Sequence, residues 1–153
     1  MLRNQSYDGR GTVTRARQRM GIEVQKRAID IGIIAKDIDA MKTFYGEVLG
    51  LELEASIPMP GGGTMNRFKV GDSIIKVIEL DPAAPAEAPP GGIRGATGYR
   101  YWTIHTPNLE GVLDKIIESG HKVVVPAKVI REGITIAIVA DPDGNWVELL
   151  ESS

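Results

Sequence analysis

Residues 27–54 read RAIDIGIIAKDIDAMKTFYGEVLGLELE, and the order of elements in them decides the fold. The β-branched run over residues 29–35 predicts a strand. Asp37 follows as a helix N-cap, because its carboxylate can accept from the free amides of a first turn. Ile38, Met41, Tyr45, Val48 and Leu49 then recur at helical spacing and mark one apolar face. Gly50 suits the position just past a helix end, where the backbone turns left-handed, and residues 51–55 open a new strand.

A second copy of this pattern lies at 99–126, YRYWTIHTPNLEGVLDKIIESGHKVVVP. Residues 101–106 give the strand and Asn108 the N-cap. Leu109, Val112, Leu113, Ile116 and Ile117 form the helical stripe, and Gly120 ends it. Each helix region is followed by a further strand pair, NRFKVGDSIIKVIEL at 66–80 and GITIAIVADPDGNWVELLE at 133–151, each with a Gly-Asp or Asp-Gly turn. The expectation is an α+β protein of two tandem β-α-β-β-β units, residues 28–80 and 99–153. Between them, DPAAPAEAPPGGIRGATG at 81–98 has the Pro, Ala and Gly content of a linker or flap, as does the shorter PMPGGG at 58–63. By itself, the DPDGN turn at 141–145 is good hairpin chemistry.

Composition narrows the function. The chain of 153 residues has 25% charged and 42% hydrophobic side chains, the balance of one globular domain. It has no cysteine, which excludes disulfides, thiolate nucleophiles and cysteine-held zinc. No apolar run approaches the roughly 18 residues of a membrane span, and no secretory signal is evident, so a cytoplasmic setting is expected. Net charge is −2, but residues 1–27 carry seven basic and two acidic side chains, +5, which leaves −7 for the rest. The basic start reads as an extension, a solvated tail or an arm that clasps a partner. An acidic body, in a chain with only eight aromatics, does not suit nucleic acid.

The strand–Asp–helix with FYGEVLGLELE, together with DPDGNWVELLE at 141–151, resembles the vicinal-oxygen-chelate superfamily over residues 28–151. That group includes glyoxalases, methylmalonyl-CoA epimerases, fosfomycin and bleomycin resistance proteins and extradiol dioxygenases. The resemblance implies paired curled sheets around a shared cavity, and a homodimer. It also implies, in metal-dependent members, one divalent ion held by four side chains on the first and last strands of the units. Carried onto this chain, those positions are Asp30, Lys76, Tyr101 and Glu148. The register is consistent, with 71 residues from Asp30 to Tyr101 and 72 from Lys76 to Glu148.

Of the four, Glu148 is a good ligand, Asp30 can ligate, tyrosine rarely does, and an ammonium repels a cation. No cofactor is therefore expected, a divalent metal on Glu148 and Asp30 being the alternative. Lys76 can stand in for the ion between the two carboxylates, since buried charges need partners. Strand alternation adds Ile34, Ile78, Thr103, His105, Trp146 and Leu150 to the same face, and sends Ile31, Ile33, Val77, Trp102, Ile104, Val147 and Leu149 to the core. Two functions fit. One is a small-molecule enzyme of lyase or isomerase type, moving a proton beside a carbonyl or carboxylate. Lys76 or Tyr101 would donate to the oxyanion, and Glu148 or His105 would move the proton, with Asp30 beside them. The other is a sequestering protein of bleomycin-resistance type, whose acidic cavity would take a cationic aromatic ligand.

Overall fold

In the computed structural model, which describes residues 21–153, alternating and helical patterns become β1 (Asp30–Ile34), α1 (Ile38–Lys42), β2 (Leu53–Pro58), β3 (Gly63–Val70), β4 (Ser73–Leu80), β5 (Tyr101–His105), α2 (Leu109–Glu118), β6 (Val123–Arg131), β7 (Ile134–Ala140) and β8 (Trp146–Ser152). The first twenty residues of the basic extension lie outside the described part. The two sheets repeat one topology, β1-β4-β3-β2 and β5-β8-β7-β6. In each, the first strand runs parallel to the last and the other pairs are antiparallel. The chain is thus the α+β tandem of β-α-β-β-β units that its repeat predicts. β1 and β5, the first strand of each unit, are both left as edge strands.

The Asp37 carboxylate accepts from Ala40 N at 3.1 Å and caps α1 as expected. Beyond Lys42 the helix widens into a π-helical stretch, Thr43–Val48, where Leu49 N reaches back five residues to Phe44 O. Phe44, Tyr45 and Val48 are all buried there. The other expected cap differs. Asn108 stands at the N-cap of α2, but its side chain makes no capping bond. Its Oδ1 accepts from the Thr106 hydroxyl, while Glu151 of β8 accepts from Leu109 N at 2.8 Å. A carboxylate from the neighbouring strand thus serves the helix start.

One core joins the units. Met41, Phe44 and Tyr45 from the first helix region meet Leu109, Leu113 and Ile116 of α2, over Val77, Val147 and Leu149 from the sheets. Ile33, Trp102 and Ile104 pack against it. Polar contacts at the 141–145 turn fasten the same junction. Asp141 Oδ1 accepts from Asp143 N and Asn145 N, which shapes the turn, and its Oδ2 accepts from the Tyr45 hydroxyl at 2.8 Å. Asp143 then accepts from Lys36 N at 2.6 Å and Asp37 N at 3.2 Å, at the entrance to α1. The DPDGN motif makes a tight turn, as its residues predict, and its two aspartates also bind the second unit to the first.

Candidate functional site

β1 and β5, with residues 83–88 of the linker, enclose a cavity of about 1030 Å³. Its wall is aromatic and aliphatic, with Tyr99, Tyr101, Trp102, Trp146, Ile31 and Ile33 in its lining, so that Ile31, Ile33 and Trp102, expected in the core, also border the cavity. Charged groups at its edge are Asp30, Lys36, Glu87, Arg100 and Asp143. Lys36 pairs with Glu87 of the linker at 2.6 Å, which ties that segment to the end of β1. At the far end, Gly92 lies directly on the Trp146 ring at a φ of +57°, so that a Cβ there would overlap the indole. Arg100 Nε donates to Gly92 O at 2.6 Å and its Nη2 to Pro89 O at 2.8 Å, so one side chain fixes this turn.

The residues expected at the site divide into groups. Strand pairing sets Gly32 beside Lys76, Ile34 beside Ile78, Tyr101 beside Trp146, Thr103 beside Glu148 and His105 beside Leu150. Asp30, Ile34, Tyr101 and Trp146 line the cavity. Lys76 joins this group through Asp30, with Nζ to Oδ2 at 3.5 Å, and Lys26 holds the other oxygen at 3.0 Å. The Lys26 bond, with lesser help from Lys76, keeps the Asp30 carboxyl below its ordinary pKa. Glu148 lies apart from this pair and accepts from the Thr103 hydroxyl at 2.8 Å. Among the described residues no ion pair joins Lys76 to Glu148, so the expected lysine between two carboxylates is a lysine on one. The cause is register: Thr103 lies directly opposite Glu148 on the adjacent strand, whereas Lys76 belongs to the other sheet. His105 is exposed, Leu150 half-buried, and Ile78 is buried on β4.

Residues 27–149 match the family model of the Glyoxalase/Bleomycin resistance protein/Dioxygenase superfamily. The chain belongs to that superfamily. A "Probable lactoylglutathione lyase" of Synechocystis is 31% identical over 121 residues, which are 76% of this chain and 88% of the relative. A "Putative glyoxylase CFP32" of Mycobacterium bovis is 26% identical over 121 residues, again 76% of this chain. The match spans 42% of that mycobacterial protein's length. Among solved structures, a glyoxalase family protein from Bacillus cereus aligns with a TM-score of 0.73 at 15% identity, over 86% of this chain and 96% of that one. TnmS3, an antibiotic binding protein from Streptomyces sp. CB03234, aligns at 0.62 and 22% identity, over 88% of this chain and 99% of its own. These two show the fold.

The four positions at which metal-dependent superfamily members hold an ion do not fit one here. Lys76 carries donors only, and its ammonium already neutralises Asp30 together with Lys26. Among the described residues no three His, Cys, Asp or Glu side chains converge to hold a metal. The cavity also includes residues that sequence reasoning passed over, namely Lys36, Glu87, Tyr99, Arg100 and Asp143. The linker-or-flap composition of 81–98 allowed a cover over a site, and the structure sets its residues 83–88 at the cavity beside β1. Arg100 lies just ahead of β5, between Tyr99 and Tyr101.

Proposed function

We propose that the protein binds a small organic molecule in the β1–β5 cavity and does so without a divalent metal. The observation that carries this reading is the cavity, about 1030 Å³ with four aromatic side chains in its wall. That is room for a drug-sized ligand, and an apolar wall with a few polar groups is the usual build of such sites. Asp30, the carboxylate at its edge, is held below its ordinary pKa by Lys26 and Lys76, which makes it a weak base and a good structural anchor. TnmS3 supports the reading as a protein of this fold that is described as binding an antibiotic.

A second reading is favoured by the Thr103–Glu148 pair and by the 31% identity to a lyase. In it the protein is a metal-independent enzyme of lyase or isomerase type. Glu148 is half-buried, has no cation on it among the described residues, and would move a proton beside a carbonyl or carboxylate. Tyr101 would donate to the developing oxyanion.

Metal analysis of the purified, untagged protein, with melting curves in added zinc, manganese, nickel and iron, tests the shared premise. The expected result is no stoichiometric metal and no rise in Tm; one tightly held ion per chain would refute it. Glyoxalase- and epimerase-type turnover assays then separate the readings. Turnover that Glu148→Gln abolishes makes the protein an enzyme, whereas ligand binding with no turnover supports sequestration.

A further inference from the structure

We infer that the free edge of β1 recognises a short, uncharged peptide, which adds to the first sheet as one more strand inside the β1–β5 cavity. This rests on the proposal that the cavity is the ligand site and adds the chemistry of the ligand.

Every residue from 29 to 36 borders the cavity. Side chains of a strand alternate between its two faces, so a cavity lying on one face would meet every second residue. A cavity that meets each residue in turn lies along the hydrogen-bonding edge. Backbone contacts give the direction of that edge, because the N–H and C=O of one residue point to one side of a strand and those of its neighbours to the other. Ala35 N donates to Ile78 O at 2.8 Å, so Ile31 and Ile33 also turn toward β4. Gly32 and Ile34 turn the other way, where no strand of the sheet lies, since β1 is its edge. Lys36 continues this outward row, and its N–H donates at 2.6 Å to Asp143, which itself borders the cavity. A carboxylate of the second unit thus satisfies the last donor of the row. The N–H and C=O of Gly32 and Ile34 are left facing the cavity.

Such an edge is a template for another strand. Gly32 is exposed and sets no side chain beside it, and a Cβ there would meet nothing within 4 Å. In β5, Thr106 N donates to Leu150 O at 2.9 Å, which turns Tyr101 outward in the same way. Tyr101 and Trp102 are the part of β5 that borders the cavity, so β1 offers the longer edge and is the pairing strand. The charged side chains in the lining, Lys36 and Arg100 against Asp30, Glu87 and Asp143, sum to −1. Each has a partner already: Asp30 has Lys26 and Lys76, Lys36 has Glu87, Asp143 has two amides, and Arg100 has three carbonyls. The ligand is therefore held by amide pairing along β1 and by apolar side chains against Tyr101 and Trp146. At about 3.3 Å per residue, roughly three ligand residues span Gly32 to Ile34.

The test uses N-acetyl-valyl-phenylalanyl-valine methylamide on the full chain, followed by calorimetry. Two analogues accompany it, one N-methylated at the phenylalanyl amide and the other at both valyl amides. One analogue should bind like the parent and the other more weakly by about tenfold or more, because alternate amides face the strand and methylation removes the donor. Hydrogen exchange should slow at Gly32 and Ile34 when the peptide is added, with Ile31 and Ile33 slow beforehand. Gly32→Pro deletes an outward N–H and no bond to β4, a change that edge strands accept, and should weaken the parent by about tenfold. Analogues of equal affinity, or unchanged exchange at Gly32 and Ile34, would overturn the inference. So would slow exchange there without peptide that strengthens with protein concentration, since a second copy would then occupy the edge. The neutral aromatic 2-naphthol separates the two proposals. If it binds and the peptide does not at millimolar concentration, this inference falls and the cavity remains a ligand site; if neither binds, both fall. The wild-type comparisons stand even if Gly32→Pro folds poorly.

Discussion

Replacing Tyr45 by phenylalanine tests the junction between the units at a single atom. The Tyr45 ring is fully buried and its hydroxyl donates to Asp141 Oδ2 at 2.8 Å, while Asp141 is itself only 4% exposed. A hydrogen bond to a charged acceptor contributes about 1.5–3 kcal/mol. Loss of the hydroxyl leaves Oδ2 with Asn145 Nδ2 at 2.9 Å, so the carboxylate is not orphaned and the expected cost is about 2 kcal/mol. For a chain of this length that lowers Tm by about 4–8 °C. The urea midpoint should fall with an unchanged m-value, since the packed ring surface is preserved. A double-mutant cycle with Asp141→Asn should return a coupling of about 1–2 kcal/mol. The pH dependence has a sign. Burial raises the Asp141 pKa above the ordinary carboxylate value, so its charged form costs stability above the folded value, and that cost is relieved as pH falls through it. Tyr45→Phe removes a donor that favours the charged form, so its penalty should be largest near neutral pH and shrink in acid. A variant within about 0.5 kcal/mol of wild type at neutral pH would refute the claim that this bond fastens the units.

Two further outcomes follow from the same contacts. Asp143→Ala removes the acceptor of Lys36 N and Asp37 N, and should cost about 1–2 kcal/mol and speed hydrogen exchange at those two amides; unchanged exchange there would show that Asp143 does not hold the entrance to α1. Asp30 and Glu54 have lowered pKa values, Asp30 chiefly through the Lys26 hydrogen bond and Glu54 chiefly through that of Arg67. Their contribution is present above the unfolded carboxylate values and is lost as pH falls through the folded ones. Stability measured by urea unfolding between about pH 5 and about pH 3 should therefore decline less steeply in Asp30→Asn than in wild type, and identical slopes would exclude the pairing.

The elements were legible in the sequence because their causes are local. The strand alternation at 30–34 and 101–105, the helical stripe at 109–117 and the Asp37 cap each depend on residues within a few positions of one another. The repeat then gave the topology twice, since each apolar face can be buried only by the elements of its own unit and those of its copy. Its internal offset also aligned Asp30 with Tyr101 and Lys76 with Glu148, and the Asp30–Lys76 contact follows from that register. Only the tertiary structure decided the rest. Tyr45 and Asp141 are 96 residues apart, and Lys36 and Asp143 are 107 apart, so nothing near either aspartate in the chain marks it as more than a turn residue. The placement of 81–98 over β1 depends on how two sheets are set against each other, and the pairing of Glu148 with Thr103 on the parallel register of β5 and β8. Sequence periodicity fixes which face of a strand is buried; it carries no information on which other strand will lie across from that face, and the cavity is made by that second choice.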